Sequence, residues 1–197
     1  MTEAAFANPA QELALAFRPI LDAMANPGRI QRFAPLLSPP PGLSAEAAAV
    51  ALTLCDFQTP IWLGQGLRTP AVEHYLRFHA GAPLTRVASE AFFVFADANQ
   101  GVPPLELFPK GTSEYPDRSA TVIIQTAGLR SDAGITLRGP GILAERQLAV
   151  DGLDEDFWRQ MIVSRMDFPL GIDVIFVGPE TIAAVPRSTQ IHPVETV

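Results

Sequence analysis

The chain has 197 residues, 48 % of them hydrophobic and 18 % charged, with a formal net charge of −7. That length suits one globular domain with a core of its own and needs no metal or disulfide staple. The composition excludes a disordered chain. An acidic chain without a basic tract also argues against nucleic-acid binding, which depends on phosphate neutralisation by Lys and Arg.

Asn8 and Pro9 read as the cap and first position of a helix. Leu13, Phe17, Ile20, Leu21 and Met24 then recur at three- and four-residue spacing, as on one helical face. Asn26-Pro27-Gly28 ends that helix, because Pro27 disfavours helical geometry at Asn26 and Gly28 tolerates positive φ. The stretch PLLSPPPGL (35–43) is a stiff connector. Ser44 caps a second, alanine-rich helix, AEAAAVALTLCDF, and TPIWLG (59–64) is a short strand or extended exit. Thr69-Pro70 opens a third helix to about His79.

AFFVFAD (91–97) and ATVIIQTAGL (120–129) read as buried strands, separated by a long loop over 98–118 with one helical turn in it. GITLRG (134–139) alternates as a strand does, and SDAG before it is expected to form a hairpin turn. Asp154 caps a helix running to about Met166. IDVIFVG (172–178) and TIAAVP (181–186) are strands joined by GPE. The pattern predicts a single α/β domain over 1–197, with a central mixed sheet covered by helices. The first residues lack a signal-like pattern and no stretch reaches 18 apolar residues, so the expectation is a cytoplasmic protein without a membrane span.

Candidate chemistry is sparse. Cys55 is the only cysteine, which excludes an intrachain disulfide and reads as a small buried hydrophobe. Three scattered His residues make no metal site. Asp56 follows an apolar helix, where the helix dipole disfavours a carboxylate. It is either a site residue with a cationic partner or the acceptor of a local Asx turn. Arg77 and His79 lie in the last turn of the third helix, where cations favour the dipole; ligand binding is the alternative. LRGPGI (137–142) resembles a phosphate loop only superficially. Pro140 removes a backbone donor, and the glycine spacing of known phosphate loops is absent, so it reads as a sharp turn. Arg138 within it is a candidate to hold an anion or a partner's acid. Asp173 opens an apolar strand and needs a partner, for which Arg187, leaving the adjacent strand, is the candidate. Lys110 is the only lysine, on a loop between Pro109 and Gly111, an unpromising setting for a Schiff base.

Seven blocks in order carry a resemblance: FRPILDAMANPGRI (17–30), LTLCDFQTPIWL (52–63), LRFHAGAPL (76–84), SATVIIQ (119–125), LRGPGI (137–142), FPLGIDVIF (168–176) and VPRST (185–189). Together they resemble the PhnH family, a subunit of the bacterial carbon–phosphorus lyase machinery. The resemblance implies a fold similar to that of PLP-dependent transferases, without the cofactor. It implies a homodimer that joins PhnG, PhnI and PhnJ in a core complex. That assembly, with PhnL, displaces the adenine of ATP by an alkylphosphonate to give a ribose 1-phosphonate 5-triphosphate. The resemblance assigns this subunit no catalytic residue. The reading is therefore an accessory, non-catalytic subunit with no cofactor or metal. The alternative is a stand-alone nucleotide- or phosphonate-binding enzyme, with Asp56, Arg77, His79 and Arg138 lining one pocket.

Overall fold

The computed structural model describes residues 9–192, so the cap expected at Asn8 lies outside the described residues. Helix α1 (Pro9–Ala25) ends where expected, and Gly28 turns the chain at φ +71°. Strand β1 (Gln31–Arg32) and the extended proline-rich connector lead to α2 (Ala45–Leu54). The Ser44 side chain caps α2 by accepting from the Ala47 N–H at 3.0 Å. Strand β2 (Ile61–Leu63), helix α3 (Pro70–His79), capped by Thr69, strand β3 (Leu84–Thr85) and strand β4 (Phe93–Asp97) follow. The long loop holds three short 3-10 turns where one was expected. The second half comprises β5 (Thr121–Gln125), β6 (Leu129–Arg138), β7 (Arg146–Val150), α4 (Glu155–Val163), β8 (Asp173–Gly178), β9 (Thr181–Val185) and β10 (Gln190–His192). Asp154 caps α4.

Seven strands form one mixed sheet in the order β1-β9-β8-β5-β4-β2-β3. From β3 to β8 the neighbours run parallel, and β9 is antiparallel to both β8 and β1. Both faces of this sheet are covered, so its central strands read as unbroken apolar runs. Every residue of β8 is buried. On one face α1, α2 and α3 pack over Phe95, Ile123, Ile175 and Ala184. On the other, Val94, Val122, Ile124, Val174 and Phe176 meet α4 and a second sheet, in the order β10-β6-β7.

That second, antiparallel sheet is a departure from the single sheet expected. Its cause is β6. SDAG is not a hairpin turn: β6 runs through it as one strand, with residues 131–134 bulged out between the Arg130–Ala149 and Ile135–Leu148 pairs. Gly134 makes this possible at φ +91°, because a Cβ there would lie 2.2 Å from the Leu148 carbonyl oxygen. The actual reversal is at Gly139-Pro140-Gly141, as LRGPGI suggested, and it joins β6 to β7. The run expected over 120–129 stops at Gln125, and its end becomes the start of β6.

The buried face of α1 also differs from the expected one. Ala16, Ile20 and Ala23 are buried, while Phe17 and Leu21 are 45 % and 56 % exposed. The partner is α2, whose Ala47, Ala48, Ala49 and Ala51 are all buried. Two helices lined by alanine approach closely, so α1 turns its small residues inward and leaves bulkier ones at the flanks.

Candidate functional site

Asp56 is exposed just past α2. Its carboxylate accepts from the Gln58 N–H at 2.8 Å and the Thr59 hydroxyl at 3.2 Å. This is the Asx turn, and among the described residues no cation pairs with the acid. Arg77 is exposed and lies 3.9 Å from Glu73, one turn back on α3. His79 is half-buried, with its ring centroid 4.5 Å from Tyr75 and 4.9 Å from Phe78. Burial, and secondarily His74, lowers its pKa. Arg138 is exposed and pairs with Glu145 at 3.0 Å.

Asp56 and the end of α3 share the amino ends of β2 and β3, where the Ile61 N–H bonds the Pro83 carbonyl. Arg138 lies elsewhere. Its neighbour Leu137 packs against Gly28, which bonds Ala184 of β9, and β9 stands four strands from β2. At the usual strand spacing that is roughly 19 Å. None of three cavities of about 420, 440 and 460 Å³ among the described residues is lined by any of the four residues.

The pair suggested for Asp173 is present. Arg187 meets both carboxylate oxygens of Asp173 through Nε at 3.1 and 3.2 Å and again through Nη2. Its backbone N–H donates to Oδ1 at 2.7 Å, and Nη1 reaches the Pro116 carbonyl. The pair is mostly buried and fixes the start of β8 to the end of β9 and to the long loop. Beside it, Arg165 is a group that sequence reasoning missed. Its guanidinium donates to the carbonyls of Met161, Val185 and Thr189 at 2.7–3.0 Å. Burial brings its pKa down to about 10, opposed by Asp173. Both arginines line a cavity of about 460 Å³ with Met166, Phe168 and Thr189. Their donors are turned to this chain's own carbonyls and carboxylate, so they organise the fold there.

The carboxyl ends of parallel strands are where open α/β sheets bind ligands. Here the gap between β4 and β5 is closed by the chain itself. Gln125 donates to Asp97 at 2.8 Å and to the Gly42 carbonyl at 2.7 Å, and accepts from the Ser44 N–H at 3.1 Å. Lys110 lies away from that gap. It bridges to Ser119 and lines a second cavity of about 420 Å³ with Glu106, Asp156 and Arg159. Cys55 is buried, and burial pushes its thiol far up, the neighbouring Asp56 adding to the shift, so it carries no thiolate at neutral pH. Among the described residues no group of three or more His, Cys, Asp or Glu is placed to hold a metal ion, and no helix is long and apolar enough to cross a membrane.

What remains conspicuous is surface. Leu15 and Leu36 are 56 % and 95 % exposed beside a groove of about 440 Å³ between α1 and the connector that follows β1. Exposed apolar side chains grouped around a concavity mark a protein-contact or ligand-binding face.

A family model described as bacterial phosphonate metabolism protein (PhnH) matches residues 4–192. The chain is 37 % identical over 188 residues to "Alpha-D-ribose 1-methylphosphonate 5-triphosphate synthase subunit PhnH" of Rhizobium meliloti (strain 1021), covering 95 % of this chain and 94 % of that protein. It is 32 % identical over 178 residues to "Putative C-P lyase subunit protein HtxG" of Stutzerimonas stutzeri, covering 90 % and 84 %.

Proposed function

The chain belongs to the PhnH family of bacterial phosphonate metabolism proteins, and from that premise we propose that it is an accessory subunit of a carbon–phosphorus lyase core complex. In that complex it supports formation of ribose 1-alkylphosphonate 5-triphosphate from ATP and an alkylphosphonate. The observation that carries the reading is the near full-length match to a synthase subunit, which covers 95 % of this chain and 94 % of that protein. The whole chain acts as one domain, in the cytoplasm, as a homodimer that joins PhnG, PhnI and PhnJ. The fold likeness to PLP-dependent transferases belongs to the same reading. It is supported by the long parallel run of the large sheet.

The geometry fits an assembling role. Polar groups at the carboxyl end of the sheet bond one another, the buried arginines hold backbone, and Cys55 stays protonated. Exposed Arg77 and Arg138, each near a single glutamate, then serve to meet a partner's acids.

Two measurements test this. A strain lacking the gene should fail to grow on methylphosphonate as its only phosphorus source and recover with the gene restored. The tagged chain, co-expressed with PhnG, PhnI and PhnJ of the same organism, should bring them down together. Growth of the deletion strain, or a chain that stays alone in every combination, would refute the proposal.

A further inference from the structure

We propose that the corner where β2 and β3 end is a docking face for an acidic segment of another subunit, with Arg68 as its anchor and Arg86 and Arg77 beside it. This rests on the accessory-subunit reading above and names a face that meets a partner. β2, α3 and β3 form one parallel crossover, so the segments leaving the two strands emerge at the same end of the sheet. Arg68 follows β2, and Arg86 comes directly after β3. Both strands thus deliver a cation to one corner, where α3 begins. Arg68 is ordered before any partner arrives. Its guanidinium lies over the Trp62 ring, 4.3 Å from the centroid, and its Nε donates to the Leu63 carbonyl. Trp62 is in turn set edge-on against the buried Phe108, with centroids 5.3 Å apart, so the arginine is anchored to the core. Among the described residues neither terminal nitrogen of Arg68 has a hydrogen-bond partner. Those two nitrogens form an edge that pairs with both oxygens of a carboxylate. A planar donor held in place beforehand loses little entropy on binding.

Positive charge is in surplus at this corner. One carboxylate, Glu73 in the first turn of α3, serves the cluster: Arg86 Nη2 donates to it, and Arg77 lies 3.9 Å away. Arg77 and Arg86 are largely in solvent. The other acid close by in the chain, Glu90, accepts from the Thr85 hydroxyl at 3.0 Å. Burial, and then the neighbouring Arg86 charge, lower the Arg68 pKa against the opposing pull of Glu73. The chain as a whole carries −7. An acidic partner is therefore repelled by the molecule at large and drawn to this corner, which orients it. Two features select a protein segment over a compact phosphate. None of the three cavities is lined by Arg68, Arg77 or Arg86, whereas small ligands take concave sites. Glu73 also stands against Arg86 and Arg77, so a dense anion bridging the arginines would meet its charge. Carboxylates spaced along a chain can each approach one guanidinium from the solvent side.

Calorimetric titration of the purified full chain into an assembly of PhnG, PhnI and PhnJ from the same organism tests the proposal. The wild type should bind, and more weakly as salt is raised. Arg68→Glu and Arg86→Glu should each raise the dissociation constant roughly 10-fold or more. Arg68→Lys, which keeps the charge and loses the planar fork, should weaken binding as well. Arg159→Glu, an equal charge reversal on α4, should bind as the wild type does. Arg86 is largely in solvent, so Arg86→Glu should keep the circular dichroism melt and decides the matter if Arg68→Glu fails to fold. Wild-type affinity in Arg86→Glu or Arg68→Lys, or an equal loss in Arg159→Glu, would overturn the proposal and leave the accessory-subunit reading standing. A wild-type chain that does not bind the assembly would overturn both. A melt raised by millimolar inorganic triphosphate in the wild type but not in Arg86→Glu would assign the corner to a small phosphate ligand, and so would also overturn the proposal.

Discussion

Asp173 opens a strand whose other residues are apolar or glycine, and its carboxylate tolerates burial there because Arg187 meets it with three nitrogens. Removing one member strands the other's charge. Asp173→Asn should therefore lower the unfolding free energy by about 3–5 kcal/mol, measured by urea denaturation. Arg77→Ala, which removes one exposed partner of Glu73, should cost less than about 1 kcal/mol. Equal costs would show that the buried pair is no stronger than a surface contact. This pair was legible in the sequence: an acid at the head of an apolar run demands a cation, and one leaves the neighbouring strand. Arg165 was not legible. Its partners are backbone carbonyls from residues 161, 185 and 189, and no side-chain pattern records where a carbonyl will point. Asp56, Arg77, His79 and Arg138 drew attention as charged or titratable groups at segment ends. The structure gives the first three local contacts at one edge of the large sheet and places Arg138 at the end of β6, in the second sheet.

Elements built from contiguous signals were read closely. Helix α3 and the caps Ser44, Thr69 and Asp154 came directly from local sequence. Strands β1, β3 and β10 are two or three residues long, and their extended state is decided by distant partners. The SDAG segment misled because a glycine after Asp fits both a turn and a bulge. Only the pairing with β7 distinguishes them. The bulge makes a sharp prediction. Gly134→Ala combines positive φ with a Cβ driven into the Leu148 carbonyl, whereas Gly101→Ala, at φ +88°, meets nothing within 4 Å. Gly134→Ala should destabilise by more than about 1 kcal/mol and clearly more than Gly101→Ala, by thermal or urea unfolding. Similar losses would mean that the Leu148 contact does not constrain the strand. The face of α1 was misassigned for a related reason: ranking positions by size favours Phe17 and Leu21, but close approach to α2 favours Ala16 and Ala23.

At the scale of the molecule, the α/β class and the covered central sheet followed from long apolar runs, while the second sheet depended on non-local pairing and stayed hidden. The layering sets a gradient of stability. β5 and β8 lie at the middle of the large sheet with neighbours on both sides and apolar layers on both faces. Their amides should exchange hydrogen slowest, near the global unfolding limit, and those of the 98–118 loop much faster. Hydrogen exchange read by mass spectrometry checks this, and rapid exchange in β8 would contradict the layering. Arg165 adds a consequence of its own. One planar cation grips the last turn of α4, the exit of β9 and the approach to β10. Those three pieces of chain cannot fray independently: loosening any one releases donors that the others rely on, so the far end of the molecule opens as a unit or stays shut.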